Sequence, residues 1–106
     1  MYCIVRRYEV EPDRVDELMH RVDDQFCPLL EREEGFVAYQ VLDCGDGLLV
    51  SITTCRTQDA ADACAALSAS WVRENLGDMD YQRIDASTGE VKVSRAVAEV
   101  LEPAHA

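Results

Sequence analysis

The order of strand-like and helix-like segments constrains the fold of this 106-residue chain more than any other feature of its sequence. Runs rich in β-branched and aromatic residues alternate with two segments whose apolar residues recur at helical spacing. From the N-terminus the order is strand, helix, strand, strand, helix, strand. With a right-handed crossover in each β-α-β unit, this order predicts an α+β fold of the ferredoxin-like type. Such a fold is an antiparallel sheet with two helices on one face.

The first half of the chain predicts a strand over residues 2–10 and then a helix with Pro12 in its first turn. Pro28 lies inside the helical pattern and should kink or divide the helix near Asp24 or Gln25, because proline has no amide proton to donate. The apolar stripe of this helix consists of Val15, Leu18, Met19, Val22, Phe26, Leu29 and Leu30.

The second half begins with two predicted strands, residues 36–44 and 48–55. The Asp46-Gly47 step between them tolerates positive φ and indicates a hairpin. A second helix is predicted after Thr57, whose hydroxyl is a suitable N-cap.

The last part of the chain has the weakest pattern. Residues 78–89 are acidic and rich in turn formers, so we interpret them as an ordered loop. Residues 90–95 are predicted as the last strand, with Val91 and Val93 on one face. The chain is thus expected to form one domain over residues 1–95, followed by a C-terminal tail over residues 96–106.

Charge and apolar content exclude several classes of partner. Ten Lys and Arg against 21 Asp and Glu give a net charge of −11, which disfavours nucleic acid and anionic membrane surfaces. No apolar run approaches the ~20 residues of a membrane span. Arg6 and Arg7 lie inside the first apolar stretch and argue against a signal peptide. We therefore expect a protein of the cytoplasm.

The cysteines and histidines predict no metal ion and no cofactor. The five cysteines are irregularly spaced, without a C-x-x-C pair. The two histidines, His20 and His105, lack the spacing of a zinc site. In a reducing compartment we expect all five cysteines to be free thiols.

Two helices on one face of a sheet leave its other face bare. We assign Ile4 and Tyr8 to that bare face, together with polar and aliphatic residues of the other strands. An apolar surface of this kind needs a cover, and a second copy of the chain related by a two-fold axis is the simplest one. The expected assembly is a homodimeric α/β barrel formed through the sheet face.

Arg6 is the most informative single residue. Strand alternation places it on one face with Ile4 and Tyr8. If Cys3 and Val5 face the helices, Arg6 points into the dimer interior, where an unpaired guanidinium would cost several kcal/mol. It must then meet a carboxylate, backbone carbonyls or a bound anion. The functional hypothesis is that Arg6 and Tyr8 orient an acidic or phenolate-bearing ligand; the alternative is a structural salt bridge or an exposed arginine.

Trp71 completes the candidate ligand pocket of Arg6, Tyr8 and Trp71. Its helical spacing with Leu67 makes it a core residue first and a pocket wall second. Tyr39 and its neighbour Gln40 lie on opposite faces of the second predicted strand, so only one of them can join Arg6. No catalytic residue is identified from these patterns.

Four segments, residues 2–8, 28–39, 71–76 and 89–91, carry a resemblance to a known group of proteins. Over about residues 1–95 the chain resembles the dimeric α/β-barrel superfamily, and within it the antibiotic-biosynthesis-monooxygenase-like (ABM-like) group. The resemblance implies two sheets paired into a barrel. Activities in this superfamily include cofactor-independent oxygenation of aromatic polyketides, haem degradation, and isomerisation or decarboxylation of small molecules.

The chain departs from the functional residues of that group. Cofactor-independent oxygenases similar to this fold use Asn, Trp and Arg around an aromatic substrate, whereas Asn75 and Trp71 here share the second predicted helix. Neither His20 nor His105 is placed to bind haem. No residue is therefore carried over from the family.

Two functions follow from these observations. The resemblance implies a small ABM-like dimer that binds an aromatic or apolar small molecule, with cofactor-independent monooxygenation as the candidate reaction. The alternative is a non-catalytic dimeric structural or ligand-binding module whose barrel is filled by its own side chains. A cavity of ~300–1,000 Å³ lined by Arg6 and Tyr8 would favour the first.

Overall fold

The computed structural model describes residues 1–97. Most of the predicted tail, residues 98–106, lies outside this range. The elements in chain order are β1 (Tyr2–Glu9), a 3₁₀ turn (Pro12–Arg14), α1 (Val15–Arg21), a π-helical turn (Val22–Phe26), α2 (Cys27–Glu31), β2 (Phe36–Asp43), β3 (Leu48–Cys55), α3 (Gln58–Asn75) and β4 (Gln82–Glu90).

The four strands form one antiparallel sheet in the order β2-β3-β1-β4. Each connection that contains helices joins two strands that are not adjacent in the sheet: β3 lies between β1 and β2, and β1 lies between β3 and β4. A ferredoxin-like fold requires this arrangement. The prediction of a β-α-β-β-α-β chain with helices on one face is confirmed.

The first helical region is divided where the sequence predicts it. A π-helical turn separates α1 from α2, and Pro28 lies in the first turn of α2. Because Pro28 cannot donate to the carbonyl of Asp24 four residues earlier, the α-helical hydrogen-bond ladder is interrupted at this point. A π-helical turn absorbs the interruption without ending the helical region.

The hairpin and the second helix also follow local chemistry. Asp46 and Gly47 have positive φ values of 55° and 81°, and Gly47 approaches the Val10 carbonyl so closely that a Cβ atom would lie 2.1 Å from its oxygen. The Thr57 hydroxyl accepts a hydrogen bond of 3.1 Å from the Ala60 amide and caps α3.

The predicted ending of the sheet is wrong. Most of residues 78–89, interpreted as a loop, belong to β4. Of residues 90–95, predicted as the last strand, only Glu90 lies in β4, and residues 91–95 have no regular secondary structure. β4 is an edge strand that pairs only with β1, and all nine of its residues are exposed. Because no helix covers it, β4 does not need the apolar alternation that identifies a half-buried strand.

The predicted faces of β1 are also inverted. Ile4 and Tyr8 are only 4% and 8% exposed and face the helices, whereas Val5 is 37% exposed on the opposite face. Both sets of alternating residues in β1 are apolar enough to be buried, so periodicity identifies two faces without saying which one is inside. Arg6 therefore points between the sheet and the helices of its own protomer.

Candidate functional site

A polar cluster lies on the helix-facing side of the sheet, inside an otherwise apolar core. The Tyr8 hydroxyl donates a hydrogen bond to Ser51 Oγ, and Tyr39 lies with Tyr8 among the core side chains on this side. The strand register brings the cluster together, since Ser51 pairs with Arg6 in β1 and with Val41 in β2.

Aromatic rings surround this cluster. The ring centroids of Tyr8 and Tyr81 are 5.1 Å apart. Phe26 packs edge-on against Tyr39 at 5.6 Å and tilted against Trp71 at 5.2 Å. These separations are typical of favourable aromatic pairs. Strands, the π-helical turn and α3 thus each place an aromatic ring around the same point.

A cavity of about 20 Å³ lies among these rings. That volume admits about one water molecule and is far below the ~300–1,000 Å³ of a typical ligand pocket. Its walls are formed by Tyr8, Leu18, Met19, Val22, Phe26, Tyr39, Val41, Ser68, Trp71, Val72, Leu76 and Tyr81. We call this the aromatic pocket.

Of the predicted pocket residues, Tyr8 and Trp71 both line the aromatic pocket, and Arg6 lies beside Tyr8 without forming part of the wall. The Arg6 Nε atom is buried and has no hydrogen-bond partner within residues 1–97. A buried donor of this kind costs free energy unless something accepts from it. The structure thus contains a cationic donor with unused bonding capacity next to Tyr8 and Tyr81, two of the three tyrosines of the pocket wall.

Burial has the largest effect on the pKa values of these tyrosines. It raises the pKa of Tyr8, although the hydrogen bond with Ser51 and the positive charge of Arg6 partly oppose the rise. Burial likewise raises the pKa of Tyr39 far above its ordinary value, and also raises that of Tyr81, where Arg6 again opposes it. At neutral pH all three side chains are neutral hydrogen-bond donors.

Two of these tyrosines gain their importance only from the structure. Alternation along β2 could not show whether Tyr39 or Gln40 lies on the same side of the sheet as Arg6. The structure places Tyr39 on that side, packed against the core, and leaves Gln40 exposed. Tyr81 immediately precedes β4, in the stretch interpreted as a loop, and the signal that could have found it is its spacing from Met79 and Leu76, which are both buried.

An ion-pair cluster joins the first helical region, through Arg14, Glu17 and Arg21, to Asp78 in the loop between α3 and β4. Arg21 donates to both carboxylate oxygens of Asp78 at 2.8 Å and to Glu17 at 2.8 Å. Arg14 reaches Glu17 at 2.9 Å and Asp78 at 3.4 Å. The hydrogen bonds from Arg21 hold the pKa of Asp78 well below its ordinary value.

Other kinds of site find no support in residues 1–97. No group of three or more His, Cys, Asp or Glu side chains is arranged to hold a metal ion in this range. The helices among these residues are also too short or too polar to cross a bilayer. Asn75, a candidate counterpart of the oxygenase asparagine, donates its side-chain amide to the Trp71 carbonyl at 3.0 Å and does not line the pocket.

A scan against protein-family models and a search of curated protein sequences gave no match. Comparison with solved structures gave several neighbours of the same fold. SnoaB, a cofactor-independent oxygenase from Streptomyces nogalater, superposes with a TM-score of 0.66 at 17% identity, covering 88% of this chain and 94% of that one.

Two further neighbours have comparable scores. A Nitrosomonas europaea protein provisionally assigned as an antibiotic biosynthesis monooxygenase has a TM-score of 0.67 at 19% identity, covering 88% of this chain and 100% of that one. A dimeric ferredoxin-like protein from an uncultured marine organism has a TM-score of 0.68 at 9% identity, covering 91% and 98%. These comparisons confirm the expected resemblance in fold: the chain has the ferredoxin-like fold found in ABM-like proteins.

Proposed function

We propose that this protein binds a small aromatic molecule with an acidic hydroxyl, a phenol or an enol, in the aromatic pocket. The observation that carries the proposal is the buried Nε atom of Arg6, which has no acceptor within residues 1–97 and lies beside Tyr8 and Tyr81. Arg6 does not line the closed pocket, so an oxyanion at the Tyr8 end would accept from Arg6 only after part of the wall moves; the ring of the ligand would stack against Phe26 and Trp71.

Cofactor-independent monooxygenation is the reaction we propose for this pocket, by analogy with SnoaB. The phenolate or enolate of the substrate is itself the reductant of O2: it gives up four electrons, one oxygen atom enters the substrate as a carbonyl, and the other leaves as water with the two hydrogens lost from the oxidised substrate. The chain would stabilise the anion through Arg6, hold the ring in one orientation against Trp71 and exclude water. Tyr39 and Tyr81, kept neutral by burial, could donate hydrogen bonds but could not act as bases near neutral pH.

Binding is tested with two probes that differ only in the hydroxyl, 2-naphthol and naphthalene. Trp71 is the single tryptophan of the chain and lines the pocket, so its fluorescence reports occupancy directly. We expect 2-naphthol to bind more tightly to the wild-type protein, and Arg6→Met to abolish the difference. Arg7→Met is the matched control, because Arg7 lies next in sequence on the opposite, exposed face.

Oxygen uptake with anthrone, an enolisable tricyclic ketone, tests the reaction itself. Consumption of oxygen that depends on Arg6 but not on Arg7 would support oxygenation. Equal binding of the two naphthalenes would contradict the proposed anion site. Absence of any binding would instead favour the non-catalytic module whose pocket is filled by its own side chains.

We also propose that the chain forms a homodimer through the face of the sheet that the helices leave bare. This open face includes Val5, Leu42, Leu48, Val50 and Ile52, of which Val5 and Leu42 are 37% and 44% exposed. Val5 and Ile52 are direct neighbours across β1 and β3, so the apolar surface is continuous. On the same face β4 contributes the polar or small residues Asp85, Ser87 and Gly89, and its outer edge is unpaired.

Sedimentation equilibrium tests the dimer. We expect twice the 11.9 kDa protomer mass for the wild-type protein and the protomer mass for Val5→Lys, because a lysine in the centre of an apolar interface would be buried without a partner. Ala69→Lys adds the same charge to an exposed position of α3 and should remain dimeric. A wild-type protein that sediments as a protomer at micromolar concentration would contradict the dimer.

A further inference from the structure

The aromatic pocket is too small in its present conformation to admit any ligand larger than water. An aromatic molecule can enter only if part of the wall moves. Most of the wall is held by regular hydrogen bonding, because Tyr8, Tyr39 and Val41 belong to paired strands and Trp71 to an 18-residue helix. Moving any of these would break a sheet or a helix.

One part of the wall is attached differently. Residues 76–81, which we call the pocket loop, contribute Leu76 and Tyr81 to the lining. Its backbone hydrogen bonds run within the loop or to the end of α3: Met79 donates to Leu76 at 3.1 Å, Tyr81 to Met79 at 2.7 Å, and Leu76 to Val72. β4 pairing begins only at Gln82. The loop can therefore swing outward without breaking a sheet hydrogen bond.

Side chains of α1 and of the 3₁₀ turn that precedes it hold the pocket loop in place. Arg21 binds both carboxylate oxygens of Asp78 and also donates to the carbonyl of Asn75 at 3.1 Å. Arg14 donates to the Asp78 backbone carbonyl at 3.3 Å. Glu17 lies between the two arginines and contacts both, which orients them toward the loop. A two-pronged arginine–carboxylate contact is geometrically specific, so this arrangement defines one closed position.

The same arginine connects the loop to a second irregular part of the wall. Arg21 is the last residue of α1, and the π-helical turn that follows places Val22 and Phe26 in the pocket lining. π-helical turns are frequent at functional sites, where they replace regular helical bonding. The ion-pair cluster thus joins the two wall segments with the least regular hydrogen bonding.

We propose that the pocket loop is a lid over the aromatic pocket, and that the cluster of Arg14, Glu17, Arg21 and Asp78 is the latch that holds it closed. The latch is partly exposed, with side-chain exposures from 23% at Arg21 to 57% at Asp78. Salt therefore screens it, and breaking it is a small step compared with unfolding. Opening uncovers Leu76 and Met79, which are buried in the closed state, and exposes Trp71 to solvent.

The lid depends on the proposed function only in the reason for its opening, which is to admit a ligand. The test of the lid itself needs no ligand. Acrylamide quenching of Trp71 fluorescence measures solvent access to the pocket. Hydrogen exchange at the amides of Met79 and Tyr81 measures opening of the loop, and exchange in β3 measures global unfolding.

Asp78→Ala should raise the quenching rate and the loop exchange rates by roughly two- to five-fold, the range expected for loss of a partly exposed ion pair. Asp80→Ala removes the same charge two residues along the same loop, where no ion pair is formed within residues 1–97, and should change neither. About 1 M NaCl, at which the Debye length is ~3 Å, should bring the wild-type protein to the level of Asp78→Ala and leave that variant unchanged.

The salt series on the wild-type protein keeps the proposal testable if the variant does not fold. Equal rates in Asp78→Ala and Asp80→Ala would overturn the latch, as would a rise in β3 exchange by the same factor as in the loop. Wild-type rates that do not respond to salt would also overturn it. Failure of 2-naphthol to bind would contradict only the proposed ligand, so the two outcomes remain distinct.

Discussion

The two faces of the sheet differ less in apolar content than in what the chain places against them. On the helix-facing side, Ile4 and Leu49 are almost completely buried, and the tyrosine cluster lies among them. On the open face, Val5 and Leu42 are equally apolar but remain more than one-third exposed. The hydrophobic effect acts on both faces in proportion to area, so it cannot by itself decide which face the helices cover.

Polar groups distinguish the faces more sharply. On the open face, Arg7 lies 4.0 Å from Asp85, its cross-strand partner, and both remain in contact with water. On the covered face, Arg6, Ser51 and Tyr8 are placed where each unmet hydrogen bond costs free energy. A sheet built for stability alone would not need these residues inside. Their position is the basis of our proposals that the covered face binds a ligand and that the open face joins two copies of the chain.

The largest expected difference between the faces is in how much the free energy of unfolding falls when a large side chain is replaced by alanine. Trp71→Ala should lower the free energy of unfolding by ~3–5 kcal/mol, because Trp71 is 6% exposed and packs against Phe26. Trp71→Phe keeps a ring there and should cost less. Leu42→Ala on the open face should cost less than ~1 kcal/mol in dilute solution. Urea denaturation measures all three, and a similar cost for Trp71→Ala and Leu42→Ala would remove the distinction.

The next largest expected effect is a loss of stability at high pH, which is caused by the buried tyrosines of the covered face. Burial raises the pKa of Tyr8, Tyr39 and Tyr81 above the value near 10 that the unfolded chain has. Above pH 10 the unfolded chain therefore binds fewer protons than the native protein, so the stability present below pH 10 is lost as the pH rises. Each tyrosine contributes at most about 1.4 kcal/mol per pH unit.

Tyr39→Phe isolates one of these contributions from those of other groups, such as the Cys27 thiol, whose pKa burial raises to about 11. Urea denaturation between pH 9 and 12 should show a shallower loss of stability for Tyr39→Phe than for the wild-type protein. Parallel curves would mean that Tyr39 ionises in the native state as readily as in the unfolded chain.

The sequence was sufficient for the fold because most elements carry local chemical signals. Pro28 predicts the interruption of the first helix, Asp46-Gly47 the hairpin, and Thr57 the start of α3; all three are confirmed. β4 was missed because an edge strand exposed on both faces has no apolar alternation. β4 is a strand because it pairs with β1. This pairing depends on the whole fold rather than on the nine residues of β4 themselves.

The candidate site could be predicted only in part. Arg6, Tyr8 and Trp71 were identified as types of residue that bind aromatic anions, and the structure brings Tyr8 and Trp71 to one pocket with Arg6 behind Tyr8. The face of the sheet on which this occurs was inverted, because both alternating sets of β1 are apolar. The hydrogen bond from Tyr8 to Ser51 and the position of Tyr39 in the same pocket wall depend on the registers of three strands, which no single segment encodes.

The smallest effect we predict is a gain in stability. It is found by comparing substitutions at two adjacent residues, one on each face of the sheet. Arg6→Met should raise the free energy of unfolding by ~1 kcal/mol, because it replaces a buried donor that lacks an acceptor by an apolar group of similar length. Arg7→Met should change it by less than ~0.5 kcal/mol, since Arg7 is exposed. A gain in stability that accompanies the loss of 2-naphthol preference in Arg6→Met would identify Arg6 as a residue kept for binding at the expense of stability. A loss of stability in Arg6→Met would instead show that Arg6 has a structural partner and would withdraw support from the anion site.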